Sequence, residues 1–162
     1  MTPYEAAEWT DFANTVAGGA AALAGLMFVG LSLNLTEVLS FPGVAARAAA
    51  TLGLTVAILV LAVFLATPGQ GNRMLAVEIG AIGLLAAVGV AAGTRLQQAG
   101  PHRNRALLSM TLLFIPGPLL IIGAVSLWCQ AGGGLYWVTA AVAMGFASAT
   151  GNAWVLLVEI KR

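Results

Sequence analysis

The chain has 162 residues, of which 60% are hydrophobic and only 8% are charged, and its mean hydropathy is +0.95. A soluble domain carries roughly 25% charged residues, so a water-soluble globule of this composition could not cover its surface. Seven basic and six acidic residues give a net charge of +1, without the basic runs typical of nucleic-acid-binding proteins. Composition therefore indicates one integral membrane domain over residues 1–162, in contact with the lipid bilayer and not with nucleic acid.

The amino-terminal segment carries Glu5, Glu8 and Asp11 and no basic residue, which is unlike a secretory signal peptide. Thr2 can cap a helix, Pro3 suits the first helical position, and Glu5 completes a capping box. We therefore expect a helix that begins near Pro3 and leads into the membrane.

Five apolar runs follow, each about as long as the 20 residues that a helix needs to cross a bilayer. The predicted spans are residues 11–35, 45–66, 74–93, 106–129 and 135–157. Glycine and proline punctuate the gaps, at 41–43, 67–71, 100–101 and in a tight turn at 131–134. The predicted fold is an all-α bundle of five transmembrane helices.

Basic residues segregate across these five spans. Only Arg73 falls on one side, and six fall on the other: Arg47, Arg95, Arg103, Arg105, Lys161 and Arg162. Because basic residues are retained in the cytoplasm, the amino terminus is predicted outside and the carboxyl terminus in the cytoplasm. A four-span alternative would fuse or drop a run and lose this segregation.

Aromatic residues fit the same orientation. Five of them map near the outer interface, the depth that such rings prefer: Tyr4, Trp9, Trp128, Tyr136 and Trp137. Trp154 maps closer to the inner side.

One stripe of the first span is small and polar. Its members are spaced by three and four residues: Asp11, Asn14, Gly18, Ala21, Gly25, Phe28 and Ser32. Helices associate in lipid through small residues, so this stripe should face protein or water. It is interpreted either as a helix-packing seam or as the lining of a pore or ligand site.

Two further polar residues are candidates for that lining. Glu78 lies about one turn inside the third span, roughly 6 Å from its outer end. A carboxylate there is either a cation or proton site or a shallow interfacial group that is hydrated or paired with Arg73. Asn152 lies in the fifth span, where a hydrogen bond to another helix is the simpler interpretation.

Two other features concern the backbone and the lipid. Pro116 and Pro118 flank Gly117 within the fourth span and predict a helix kink, because proline removes a backbone donor. Three basic residues of the connection between spans three and four are predicted to contact anionic lipid headgroups, or to serve topology alone: Arg95, Arg103 and Arg105.

No catalytic, cofactor or metal site is predicted. His102 is the only histidine and is flanked by Arg103, and no metal-binding or phosphate-binding motif occurs. Cys129 stands alone, which excludes an intrachain disulfide. It is interpreted either as a small buried apolar residue or, because it falls near the outer face, as one half of an intermolecular bridge.

The stretch Trp9-x-x-Phe12 followed by residues 18–35, GGAAALAGLMFVGLSLNL, resembles the opening of small polytopic membrane proteins of high-GC actinobacteria. The resemblance covers the first quarter of the chain and implies only a bacterial inner membrane.

Three functions are compatible with these features. The first is a homo-oligomeric channel or permeation pathway that favours cations. Five helices leave little room for a transport pathway within one copy, and the acidic outer side would attract cations. The second is a non-catalytic accessory or binding subunit of a larger membrane complex. The third is a membrane receptor for a small ligand.

Overall fold

A computed structural model describes residues 2–40, 42–97 and 115–160, with the side chains of residues 42, 43, 90, 93–97 and 155–160 left out of that description. Over this part of the chain the protein is helical, without a strand. A 3₁₀ turn at Ala6–Trp9 precedes six α-helices. These are α1 (Thr10–Leu33), α2 (Leu35–Ser40), α3 (Pro42–Leu65), α4 (Asn72–Gln97), α5 (Pro116–Cys129) and α6 (Tyr136–Ile160).

Three segments within these helices are long and apolar enough to cross a membrane: Ala6–Leu33, Val44–Leu65 and Asn72–Gly89. Helix α5 is apolar but has only 14 residues, which reach about 21 Å at 1.5 Å per residue. Most of the remainder of the predicted fourth span lies outside the described residues. The prediction of an all-helical protein with membrane-spanning helices is confirmed for these three segments.

Helix α1 begins at Thr10, so the prediction that it starts near Pro3 is wrong. The carbonyl groups that would start such a helix accept hydrogen bonds from other parts of the chain. The Leu135 amide donates to the Pro3 carbonyl at 2.8 Å, and Asn72 Nδ2 donates to the Tyr4 carbonyl at 2.6 Å. Residues 2–9 are therefore held against the start of α4 and the start of α6, at one end of the bundle.

The connection predicted after the first span is partly helical. Asn34 ends α1, and its Nδ2 donates to the Gly30 carbonyl at 2.9 Å. The six-residue helix α2 follows, and its Val38 packs with Ala48 of α3 in a small separate cluster. Proline then starts α3 at its first position, where the missing N–H costs no helical hydrogen bond.

Helix α3 lies in the middle of the bundle and packs on α1, α4 and α6, while α5 packs on α4 and α6. The connections 66–71 and 130–135 both lie against residues 2–9. Helices α3 and α5 therefore end at the same end of the bundle where α1, α4 and α6 begin, so successive long helices run in opposite directions. The shared core contains Ile58 and Leu61 of α3, Ile79 of α4, Leu127 of α5 and Val138 of α6.

The turn predicted at 131–134 is present, and four residues in it or next to it have positive φ angles. Gln130, Gly132, Gly133 and Gly134 have φ values of 51°, 84°, 107° and 49°. Glycine adopts this region without the steric cost that a Cβ brings, so α5 ends and α6 begins within a few residues.

Small residues allow the closest helix contacts. The motif Ala141-x-x-x-Gly145-x-x-x-Ala149 is buried within the bundle, where Gly145 faces Ile58 of α3. This motif therefore packs inside one chain. Gly89 of α4, by contrast, is exposed and has open space beside it.

Candidate functional site

The small, polar stripe of α1 points away from the bundle. All seven members are exposed: Asp11, Asn14, Gly18, Ala21, Gly25, Phe28 and Ser32. The face of α1 that packs on the core consists instead of Ala13, Val16, Ala20 and Met27. Among the described residues, the stripe therefore takes no part in the packed core.

A second exposed face of α1 differs in chemistry from the stripe. It carries large apolar residues, with Leu26 73% exposed, Val29 55% and Leu33 79%. Such a face suits lipid chains, whereas small and polar residues are characteristic of helix–helix contacts in membranes. Helix α1 thus has a core face, an apolar face and the stripe.

The polar groups of the stripe are satisfied to different degrees. Ser32 Oγ donates to the Phe28 carbonyl of its own helix at 2.8 Å. The Asn14 amide makes no hydrogen bond to the described residues. A Cβ added at Gly18 or Gly25 would meet no atom within 4 Å. The stripe has room for a second surface and one amide that such a surface could satisfy.

The sequence interpretation missed a cavity of about 770 Å³ at the amino-terminal end of the bundle. It lies between residues 2–10 and the connection from α3 to α4. Its walls include Tyr4, Glu5, Leu65, Gln70 and Asn72. No sequence motif marked it, because its two walls are distant in the chain: Asn72 and Tyr4, which join them by a hydrogen bond, are 68 residues apart.

Glu78 lies half-buried behind this cavity. Gln70 Nε2 donates to its carboxylate, and the Oε1 atom of Gln70 is buried without a hydrogen-bond partner in the described part of the chain. The guanidinium of Arg73 lies over the Trp128 ring, 5.8 Å from its centroid. The carboxylate of Glu78 is held instead by the side-chain amide of Gln70. Of the alternatives given for Glu78 from the sequence, pairing with Arg73 is therefore not the contact found.

Aromatic residues cluster at this same end. Trp9 packs edge-on against Tyr136 with 5.3 Å between ring centroids, and Trp137 Nε1 donates to the Gly132 carbonyl at 2.7 Å. The Tyr4 hydroxyl accepts a hydrogen bond from the Gly133 amide at 3.0 Å. The five aromatic residues that were predicted near the outer interface thus lie at one end of the bundle.

A buried polar seam runs along α3 toward the opposite end. Arg47, Thr51 and Thr55 follow one another at four-residue spacing and are 5%, 0% and 0% exposed. Thr51 Oγ1 donates to the Arg47 carbonyl at 2.8 Å and Thr55 Oγ1 to the Thr51 carbonyl at 3.0 Å. The sequence interpretation assigned Arg47 a topogenic role only. Its spacing with the two threonines was the signal that could have revealed a buried helix face.

Asn152 belongs with this seam and not with the stripe. It is 3% exposed, and its Nδ2 donates to the Ser148 carbonyl of its own helix at 3.0 Å. Since α6 runs antiparallel to α3 and Gly145 faces Ile58, Ser148 and Asn152 reach the levels of Thr55 and Thr51. The structure thus separates Asn152 and Glu78 from the stripe with which they were grouped.

The remaining candidates lie at the limits of the described chain. Pro116 and Pro118 stand in the first turn of α5 as it is described, and the residues before Ile115, where the kink would release carbonyls, lie outside it. Arg103 and Arg105 and the side chain of Arg95 also lie outside the described residues. Cys129 is exposed at the end of α5, so the expectation that it is buried is wrong.

Among the described residues, no group of three histidine, cysteine or acidic side chains could hold a metal ion. Comparison of the chain with protein-family models, with curated proteins and with solved structures gives no match.

Proposed function

We propose that this protein is a homo-oligomeric membrane channel or permeation pathway that favours cations, with the α1 stripe at the contact between copies. The observation that carries this proposal is that the stripe is exposed along the whole of α1 while the core of one bundle is packed. A route through the membrane would then form between copies.

Lipid is a poor environment for the stripe. An amide such as that of Asn14 prefers a hydrogen-bond partner over hydrocarbon, and glycines lose close contacts when lipid faces them. A second α1 helix would supply both. The first-span residues Asn14, Gly18, Gly25 and Ser32 would line or seal the pathway.

The cation preference is supported by charge at the amino-terminal end. Glu5, Glu8 and Asp11 are exposed there and Glu78 is half-buried nearby, while Arg73 is the one basic side chain among the residues described at that end. In a ring of copies these carboxylates would raise the local concentration of cations.

We further propose five spans, with the amino terminus outside a bacterial inner membrane. The alternating directions of α1, α3, α4, α5 and α6 support five crossings. The aromatic cluster supports an interface at the amino-terminal end.

Ion flux in liposomes tests the proposed function. We expect potassium flux that exceeds chloride flux, and we expect Gly25→Leu to reduce it because the added side chain fills the contact between copies. Gly53→Leu is the matched control, since Gly53 is also exposed with open space around it but lies on α3. Asn14→Leu, Ser32→Leu and Glu78→Gln complete the series.

Absence of flux, or flux unchanged in all four variants of Asn14, Gly25, Ser32 and Glu78, would refute the channel proposal. Purification of the protein with a stoichiometric foreign membrane protein, released by Gly25→Leu, would instead support an accessory subunit that uses the same stripe.

A further inference from the structure

We propose that a groove between α4 and α5, at the amino-terminal end of the bundle, binds one phospholipid with a net anionic headgroup. The lipid phosphate would contact Arg73 and Trp128, and one acyl chain would lie in the groove. This inference goes beyond the proposed permeation function, because the groove lies on α4 and α5 whereas the stripe lies on α1.

The groove has an apolar lining that is shared by two neighbouring helices. Its volume is about 210 Å³, and the lining residues are Ala76, Val77, Ala124, Val125 and Trp128. The two alanines are buried and form the floor, whereas the other three side chains are more than half exposed and form the walls. The volume is below the roughly 300–1,000 Å³ of sites that enclose a small molecule, so the groove suits a section of a hydrocarbon chain.

The face that contains the groove has the depth of one lipid leaflet. Helices α4 and α5 close the groove one turn below Ala76, where a Cβ added at Gly80 would lie 3.4 Å from Ala124 Cβ. The exposed side chain of Leu84 continues the apolar surface of α4 beyond this contact. From Arg73 to Leu84 the helix rises about 16 Å, close to half of the roughly 30 Å hydrocarbon core of a bilayer. An acyl chain of one leaflet therefore matches this face in length.

Hydrogen-bond donors lie at the mouth of the groove. The guanidinium of Arg73 is 5.8 Å from the centroid of the Trp128 ring, and that ring lines the groove. Neither the guanidinium nor the indole N–H makes a hydrogen bond to the described residues. The five lining side chains carry no acceptor. A phosphate diester has acceptor oxygens and a negative charge, and a guanidinium can bind it through two parallel hydrogen bonds.

Both donors lie at the depth of lipid headgroups. Arg73 is the second residue of α4, and Trp128 is the last but one of α5. Tryptophan and arginine near the ends of membrane helices place their polar atoms at the interface between hydrocarbon and water. A phospholipid brings a phosphate to this depth with an acyl chain attached below it, whereas inorganic phosphate would leave the groove unfilled.

The carboxylates of this end belong to other faces of the bundle. Glu78 lies about 140° around α4 from Arg73, and its carboxylate accepts a hydrogen bond from Gln70. The other acidic side chains of this end belong to residues 5–11, which lead into α1, and α1 packs mainly on α3. No carboxylate lines the groove. An anionic headgroup is therefore preferred over a zwitterionic one, whose ammonium group would repel Arg73.

Native mass spectrometry of the delipidated wild-type protein, titrated with lipid in mild detergent, tests the proposal. The probes are phosphatidylglycerol, phosphatidylcholine with the same two acyl chains, and the free headgroup glycerophosphoglycerol. We expect a saturable site for one phosphatidylglycerol per copy, phosphatidylcholine bound about five-fold more weakly, and no retention of the free headgroup. Equal binding of the two lipids, retention of the free headgroup as tight as that of the lipid, or no saturable lipid would overturn the proposal.

Two variants locate the lipid. Arg73→Gln should weaken phosphatidylglycerol binding by about five-fold, because one basic group near the membrane surface is lost. Val77→Trp should abolish the saturable site by filling the groove from an exposed position. Val63→Trp is the control and should bind as the wild type does, since Val63 is 54% exposed and Val77 55%, but Val63 lies on α3.

Phosphatidylglycerol binding that is unchanged in either Arg73→Gln or Val77→Trp would place the lipid elsewhere and overturn the proposal. A wild-type oligomer that binds no lipid and dissociates in Val77→Trp would show that a second copy occupies the groove, which would also overturn it.

These outcomes are independent of the channel proposal. Flux can be lost through Gly25→Leu while phosphatidylglycerol binding is retained, and lipid binding can fail in a protein that conducts ions.

Discussion

The contact between α4 and α5 depends on two glycines that face each other, and substitution of one should weaken the fold. A Cβ added at Gly83 would lie 2.9 Å from Leu120 Cβ, 3.0 Å from the Gly117 carbonyl oxygen and 3.2 Å from Ile121 Cγ1. Two of these neighbours are a backbone atom and a Cβ, which cannot move without displacing α5. Gly83→Ala should therefore separate the two helices.

The magnitude follows from a comparison with Gly80, one turn earlier on the same helix. A Cβ at Gly80 would lie 3.4 Å from Ala124 Cβ, an ordinary van der Waals contact. Both substitutions bring the same gain in helix propensity, about 1 kcal/mol at most. Their difference isolates the overlap, and overpacking of a close-packed interior costs about 1–3 kcal/mol. We expect Gly83→Ala to be less stable than Gly80→Ala by about 2 kcal/mol.

Equilibrium unfolding in mixed micelles, followed by tryptophan fluorescence, measures this difference. Gly80→Ala should unfold at the same denaturant fraction as the wild type or a higher one, and Gly83→Ala at a clearly lower one. Equal stability of the two variants would refute the close approach of α4 and α5 that the structure describes.

Three further predictions concern the amino-terminal end. Gly134→Ala should release residues 2–9, measured as faster limited proteolysis of that segment, because the new Cβ would overlap the Pro3 carbonyl oxygen; proteolysis at the wild-type rate would contradict the contact. Tyr4→Phe removes the acceptor of the Gly133 amide and should lower the free energy of unfolding by about 1 kcal/mol, which thermal denaturation can measure against Tyr136→Phe as the control. Cys129 lies at the same end of the bundle as the amino-terminal segment, so it should react with a membrane-impermeant maleimide added to the outer side of right-side-out vesicles, while labelling from the cytoplasmic side alone would contradict the proposed orientation.

Helix positions could be predicted from the sequence because apolar runs and glycine–proline breaks are local signals. The breaks at 67–71 and 131–134 both separate helices in the structure. The start of α1 could not be predicted in this way. The capping pattern of Thr2, Pro3 and Glu5 is local, whereas the hydrogen bonds from Asn72 and Leu135 that replace it come from distant parts of the chain.

The candidate site also combines features that local sequence signals predict with features that depend on distant contacts. The helical spacing of the stripe was readable from the sequence, but spacing alone does not say which face of a helix packs inward. The core takes the face of Ala13, Val16 and Ala20, and the stripe is left outside. Nothing in the sequence indicated that Gln70 is partly buried, with its Oε1 atom removed from solvent. The burial of Arg47 was missed because the basic residues were interpreted only as signals of membrane topology.

The central claim is that copies of this protein meet through the α1 stripe, and the most direct test is the oligomeric state of three proteins in mild detergent by native mass spectrometry. We expect the wild type and Gly53→Leu to form the same oligomer and Gly25→Leu to be monomeric, with α-helix content unchanged in all three because neither glycine has a neighbour within 4 Å of an added Cβ. A monomeric wild type, or a Gly25→Leu variant that keeps the wild-type oligomer, would contradict the claim.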